Sequence, residues 1–192
     1  QFLSQKNDVQ QLELLLTTTF FKYAQKAYNG TTKNTFDLEW FIPRKKKNYQ
    51  TLLDSLVSLN KGEEVQEPVN QYYTNLKEQL RKYRNLQKNG GLPTVITDKK
   101  LLIVGDSNAC LVNAKQHLFL TGDLKNNDKT NIFTDTLANA VKRFQHRMGL
   151  TENGKINLAT IVEFNKPIDF RIKQMMVNME RLRWVPVELE KE

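Results

Sequence analysis

Apolar side chains return every three or four positions along most of this sequence, the spacing that sets one face of a helix against a core. Val9, Leu12, Leu15, Leu16, Thr19, Tyr23 and Ala27 predict a helix over 8–29, stopped by Asn29-Gly30. Phe36 to Ile42 is apolar enough to pack, and Pro43 ends it. Tyr49, Leu52, Leu53, Leu56 and Val57 share one face of a short helix over 48–60, closed by Lys61-Gly62. A longer helix runs from Pro68, whose missing N–H costs nothing in a first turn, to Lys88 and the stop Gly90-Gly91. Its stripe is Val69, Tyr72, Tyr73, Leu76, Leu80 and Tyr83, and core packing with hydroxyls at the rim is preferred for the tyrosines over a sugar-stacking platform. Residues 93–96 and 101–104 read as short β-like runs around a polar turn.

From 106 the pattern tightens into three short helices. Asp106 or Ser107 caps the first, which runs through Leu118. Thr134 caps the second, with Leu137, Val141, Phe144 and Met148 inward and Gly149 as its left-handed stop. Asn153-Gly154 marks a tight turn, and Leu158 to Phe164 forms the third. A last helix over 167–183 carries Ile172, Met175, Met176, Met179 and Leu182 as gap-filling core. The expected fold class is mainly α: a helical region over 1–105, a three-helix bundle over 106–168 and a connector helix over 169–192.

Composition narrows the function. A chain of 192 residues with 39% hydrophobic and 26% charged side chains is long enough to bury a core and too apolar for global disorder. No apolar run approaches the ~20 residues of a membrane helix. Cys110 alone excludes an internal disulfide and a multi-cysteine zinc site. His117 and His146 have no acid or cysteine at ligand spacing, so no metal or cofactor is expected. The net charge of +8 favours an anionic partner such as nucleic acid, a lipid headgroup or an acidic wall polymer. The densest basic cluster, Arg44-Lys45-Lys46-Lys47, is read as a solvated loop. Lys142, Arg143, His146 and Arg147 give the second bundle helix a basic face, but the third helix offers no cation to base edges before Lys166. That argues against nucleic acid.

Residues 122–165, GDLKNNDKTNIFTDTLANAVKRFQHRMGLTENGKINLATIVEFN, resemble the bacterial peptidoglycan-binding domain of the three-helix type. The resemblance rests on Gly122-Asp123-Leu124, Thr136, Ala140-Val141, Phe144-Gln145, Gly149-Leu150, Asn153-Gly154, Thr160 and Asn165. Where the family has a second glycine, this sequence has Asn157, which tolerates left-handed backbone angles. NMERLRW at 178–184 with Val185-Pro186 resembles the connector before the catalytic domain of large L,D-transpeptidases. The stretches FDLEWFIPRKKKN and YYTNLKEQLRKYRNLQKNGGLPTV resemble the helical scaffold domain of the same proteins.

The resemblance implies a non-catalytic portion of an enzyme that crosslinks stem peptides. The family's nucleophile lies in Ser-x-Gly-Cys, with a His-Gly motif nearby. Cys110, in Asp-Ser-Asn-Ala-Cys-Leu, has neither and reads as core. The expected setting is the periplasm or cell envelope, with an export signal removed before Gln1 and the catalytic domain after Glu192. Expected partners are peptidoglycan, through stem peptide and glycan, and the missing catalytic domain. Recognition needs cationic donors and a rim of amides or aromatics. The candidates are Lys142 and Arg147 as donors, with Phe133, Asn153 and Gly154 as rim. Gln145 either bonds a ligand or fixes a loop. A stand-alone wall adaptor or protein-interaction module is the alternative, and a basic nucleic-acid-binding protein the third.

Overall fold

The computed structural model describes residues 2–31, 47–60 and 62–187, with side chains from Asp8 onward in the first helix. The segment from Phe36 to Ile42 and the cations Arg44, Lys45 and Lys46 lie outside the described residues. Among those described the fold is mainly α. Seven helices follow in order: α1 (Phe2–Asn29), α2 (Tyr49–Ser58), α3 (Gln71–Lys88), α4 (Cys110–Thr121), α5 (Asp135–Met148), α6 (Leu158–Phe164) and α7 (Ile168–Leu182). The one sheet among these residues pairs β1 (Leu101–Leu102) antiparallel with β2 (Ile156–Asn157). No described helix is long and apolar enough to cross a membrane.

Two compact units form. The first comprises Gln1–Leu80 with Gln174–Glu192, and the second Arg81–Lys173. The divisions read from sequence, at 105/106 and 168/169, differ because Val95 and Leu102 are fully buried in the second unit's core. Asn165 makes the attachment: its Nδ2 donates to the Val95 carbonyl at 2.8 Å and its Oδ1 accepts the Val95 N–H at 2.8 Å. Asn113 adds a bond to the Thr94 carbonyl at 2.9 Å. Leu101 and Leu102 pair with Asn157 and Ile156, not with residues 93–96.

In the first unit Ala24, Tyr28, Leu52, Val69, Tyr73 and Met179 form the core. Asn48 caps α2 by accepting the N–H groups of Gln50 and Thr51 at 3.0 and 3.2 Å. Asn70 serves the start of α3, accepting the Tyr73 N–H at 3.0 Å, so the helix begins after Pro68. α1 starts six residues before the expected Asp8, and most of its predicted stripe lies on the outside. Val9, Leu12, Leu15, Leu16 and Tyr23 are exposed, and the helix packs instead through Phe20, Ala24, Ala27 and Tyr28. Leu56, Val57 and Met176 are likewise exposed, so spacing marked more apolar positions than this core covers.

The second unit closes around Leu111, Leu118, Phe133, Leu137, Phe144, Ile156 and Phe164. Phe144 and Phe164 stack with centroids 4.4 Å apart, and His117 meets Phe164 edge-on at 4.9 Å. Each fully buried phenylalanine contributes roughly 1.5–3 kcal/mol. Thr134 caps α5 through the Leu137 N–H, and Gly149 ends it at φ 69°, both as the sequence indicates. α4 begins at Cys110, later than expected. Asp106 is committed to the Ile103 N–H at 2.8 Å, and Asn108 Oδ1 accepts the Cys110 N–H at 3.0 Å. Asn157 is not left-handed: at φ −109° and ψ −179° it is extended and caps α6 by accepting the Thr160 N–H at 3.0 Å. Asn157 therefore contributes a side-chain cap that glycine would lack.

Candidate functional site

All six sequence-nominated residues belong to the second unit, but they divide between its interior and its surface. Phe133 is 1% exposed and is core, not rim. It follows the 125–132 loop, and backbone bonds to Gly105 and Asp106, at 2.9 and 2.8 Å, pull it inward.

Gln145 is also 1% exposed. Its Nε2 donates to Asn153 Oδ1 at 3.1 Å, the Lys155 carbonyl at 2.9 Å and Thr160 Oγ1 at 3.1 Å. Its Oε1 accepts the Gly154 N–H at 2.9 Å. Every polar atom of the amide is engaged with the protein, so Gln145 fixes the 153–155 turn and has nothing left for a ligand.

Arg147 is tied inward as well. Its Nη2 donates to Asp123 Oδ2 at 2.5 Å and its Nη1 to Tyr83 Oη at 3.3 Å. Burial works against its charge, but the Asp123 carboxylate and the Tyr83 hydroxyl outweigh that and hold the guanidinium above its ordinary pKa. Asp123 is nearly buried and also accepts the Thr121 hydroxyl at 2.6 Å, while Arg143 donates to its carbonyl at 2.9 and 2.7 Å. Half of the basic face of α5 is therefore spent on the loop after α4. The sequence signal was Asp123 within Gly-Asp-Leu, but that carboxylate lies 24 residues from its cation.

Lys142 stays outside. It is exposed and has no partner among the described residues. Its aliphatic stem covers the turn: a Cβ on Gly154 would meet Lys142 Cε at 3.0 Å and the Ala138 carbonyl at 3.1 Å. At φ 71° with that contact, position 154 requires glycine. Asn153 Oδ1 also accepts the Lys155 N–H at 2.9 Å, while the side chain remains exposed. Lys155, which sequence reasoning missed, is a second exposed ammonium without a partner among the described residues. Lys142, Asn153 and Lys155 thus border a turn that Gln145 holds rigid, an edge suited to charge-assisted hydrogen bonds with a carboxylate.

Lys115 and His117 are buried titratable groups outside the nominated set. Lys115 is 1% exposed and donates to Asp128 and Thr130, each at 2.7 Å, pinning the loop between α4 and α5. His117 is buried and its pKa falls to about 4, chiefly through desolvation, although a bond to the Pro93 backbone works the other way. His146 is exposed and pairs with Glu152 at 2.6 Å. Cys110 is buried and its thiol is pushed up by burial, the reverse of what a thiolate nucleophile needs. No group of three or more metal-ligating side chains occurs among the described residues.

Comparison with known families adds two matches on this one chain. Residues 2–80 match the model of a scaffold domain. Residues 113–162 match the model of a peptidoglycan binding domain, a span that contains α5, the 153–155 turn and α6. No curated protein matches the chain. The chain therefore has a segment similar to a scaffold domain followed by one similar to a peptidoglycan binding domain, which supports a role in binding the cell wall.

Proposed function

We propose that this chain is the non-catalytic, wall-binding and scaffold portion of an L,D-transpeptidase working in the periplasm or cell envelope. The observation that carries the reading is the succession of a scaffold-domain match and a peptidoglycan-binding match on one chain. The burial of Cys110 supports assigning crosslinking chemistry to another part of the parent protein. In this reading Lys142 and Lys155 donate to stem-peptide carboxylates, and the Gln145 network holds the turn so that little ordering entropy is lost on binding. Arg147 acts through Asp123 on the loop, not on the ligand.

Co-sedimentation with protein-free peptidoglycan sacculi, at low and moderate salt, tests the wall-binding part. Retention at moderate salt, weakened roughly tenfold by the Lys142→Ala/Lys155→Ala double variant, is the expected result. Retention only at low salt means charge-driven adhesion and overturns a specific site. The parentage is tested on the coding sequence downstream of Glu192, where a Ser-x-Gly-Cys motif is expected.

A further inference from the structure

The first unit holds a groove that its own polar groups leave unfilled. α3 supplies one wall through Tyr72, Glu78 and Gln79, and α7 the other through Asn178 and Arg181. Leu76 and Leu182 add apolar surface, and the groove encloses about 790 Å³, within the ~300–1,000 Å³ typical of small-ligand sites. Tyr72 is 60% exposed, unlike its neighbour Tyr73 at 7%, so one tyrosine of the stripe faces solvent while the other packs.

The charges decide what the groove fits. Glu78 and Arg181 stand on opposite walls, and among the described residues neither side chain has an ion-pair partner. Gln79 and Asn178 likewise have no partner among the described residues. Sugar hydroxyls can hydrogen-bond to both side chains but neutralise neither charge. A short peptide bearing carboxylate and ammonium groups answers both, with its small apolar side chains against Leu76 and Leu182 and a peptide plane against the Tyr72 ring.

We infer that this groove binds a short zwitterionic peptide, namely the stem peptide of the wall, with Arg181 taking its carboxylate and Glu78 its free amine. The inference rests on the wall-binding reading and extends it from the second unit to the first. It makes the scaffold segment a second point of contact with the polymer, so that two weak sites on one chain hold a multivalent ligand more tightly than either alone.

The test is an NMR titration of the whole chain with a soluble disaccharide-tetrapeptide released from sacculi. The same ligand is run with its carboxylates amidated, with its amine acetylated, and beside an N-acetylglucosamine oligomer. The tetrapeptide is expected to shift the amides around Tyr72, Gln79 and Arg181. Amidation is expected to weaken this site about tenfold in the natural chain and to have no further effect in Arg181→Gln, with acetylation behaving likewise in Glu78→Gln. Both replacements are on exposed side chains, and an unchanged melting temperature shows that the fold is kept. Shifts confined to the second unit, shifts caused by the sugar oligomer alone, or amidation costs that are equal in Arg181→Gln and the natural chain overturn the inference. Sacculus retention with a silent groove sinks this inference and spares the wall-binding reading. Loss of both sacculus retention and tetrapeptide binding sinks the two together.

Discussion

The bundle around α5 and the front half of α1 start from similar apolar periodicity and end in opposite conditions. Around α5, helices, the β1–β2 pair and the Val95 segment close on every side, and Leu137, Val141 and Phe144 are 0–1% exposed. Along α1, Val9, Leu12 and Leu15 are 55–63% exposed. The difference lies in polar anchoring. The bundle's loops are pinned by the buried side chains Gln145, Asp123 and Lys115 and by the Asn165 amide, each of which leaves unsatisfied groups if removed. No described residue anchors a segment over Val9–Leu16 in that way, although a groove of about 790 Å³ runs between this stretch and Leu53 and Val57 of α2. An apolar stripe therefore states that a surface favours burial, and the polar contacts of neighbouring segments state whether it is buried.

The contrast is broken most directly at Gln145. Gln145→Leu removes four hydrogen bonds, strands the Gly154 N–H and leaves the Lys155 carbonyl only a 3.5 Å bond from Thr160 Oγ1. A loss of about 3 kcal/mol is expected in the second unit, read by denaturant unfolding, with faster amide exchange over 153–160. A loss under about 1 kcal/mol would remove the argument for a rigid turn.

Acid is the next lever. His117 is neutral in the fold down to about pH 4, whereas the unfolded chain takes up that proton near pH 6.5. The unfolded state thus binds more protons between these values, and stability falls as pH falls through this window. The expected loss is about 2 kcal/mol by pH 5. Stability of the second unit followed from pH 7 to pH 4 should show this slope, and His117→Phe should flatten it.

A pair of glycines sharpens the comparison between units. Gly154→Ala combines φ 71° with the Ala138 carbonyl 3.1 Å from the new methyl, whereas Gly62→Ala, at φ 100°, meets nothing within 4 Å. Melting should place the first near 2 kcal/mol and the second near 1 kcal/mol. The smallest effect belongs to α1: Val9→Ser with Leu12→Ser should change stability by no more than about 0.5 kcal/mol. A larger loss would mean that the stripe is covered.

The bundle was legible where the interaction is local. The Thr134 cap, the Gly149 stop and the Asn153-Gly154 turn each act within a few residues, and each stands where the sequence places it. Lys142 as an exposed cation was legible for the same reason, since it lies on the polar face of α5. Phe133, Gln145 and Arg147 were not. A buried phenylalanine and a rim phenylalanine have the same neighbours in sequence, and the partners of Gln145 and Arg147 are supplied by other segments. Asn157 shows a subtler failure. The turn was expected to survive through a left-handed asparagine, and it survives through a side-chain cap on extended backbone.

The sequence by itself determined the mainly helical fold, most of the helix starts and stops, and the basic balance. These follow from spacing, capping residues and composition, which need no distant partner. The tertiary structure alone decided which apolar stripes are covered, which cations are spent and where the compact units divide. Those outcomes depend on pairings such as Arg147 with Asp123, Asn165 with Val95 and Leu102 with Ile156. Each joins segments 24 or more residues apart, and their meeting is a property of the closed core that no local window encodes.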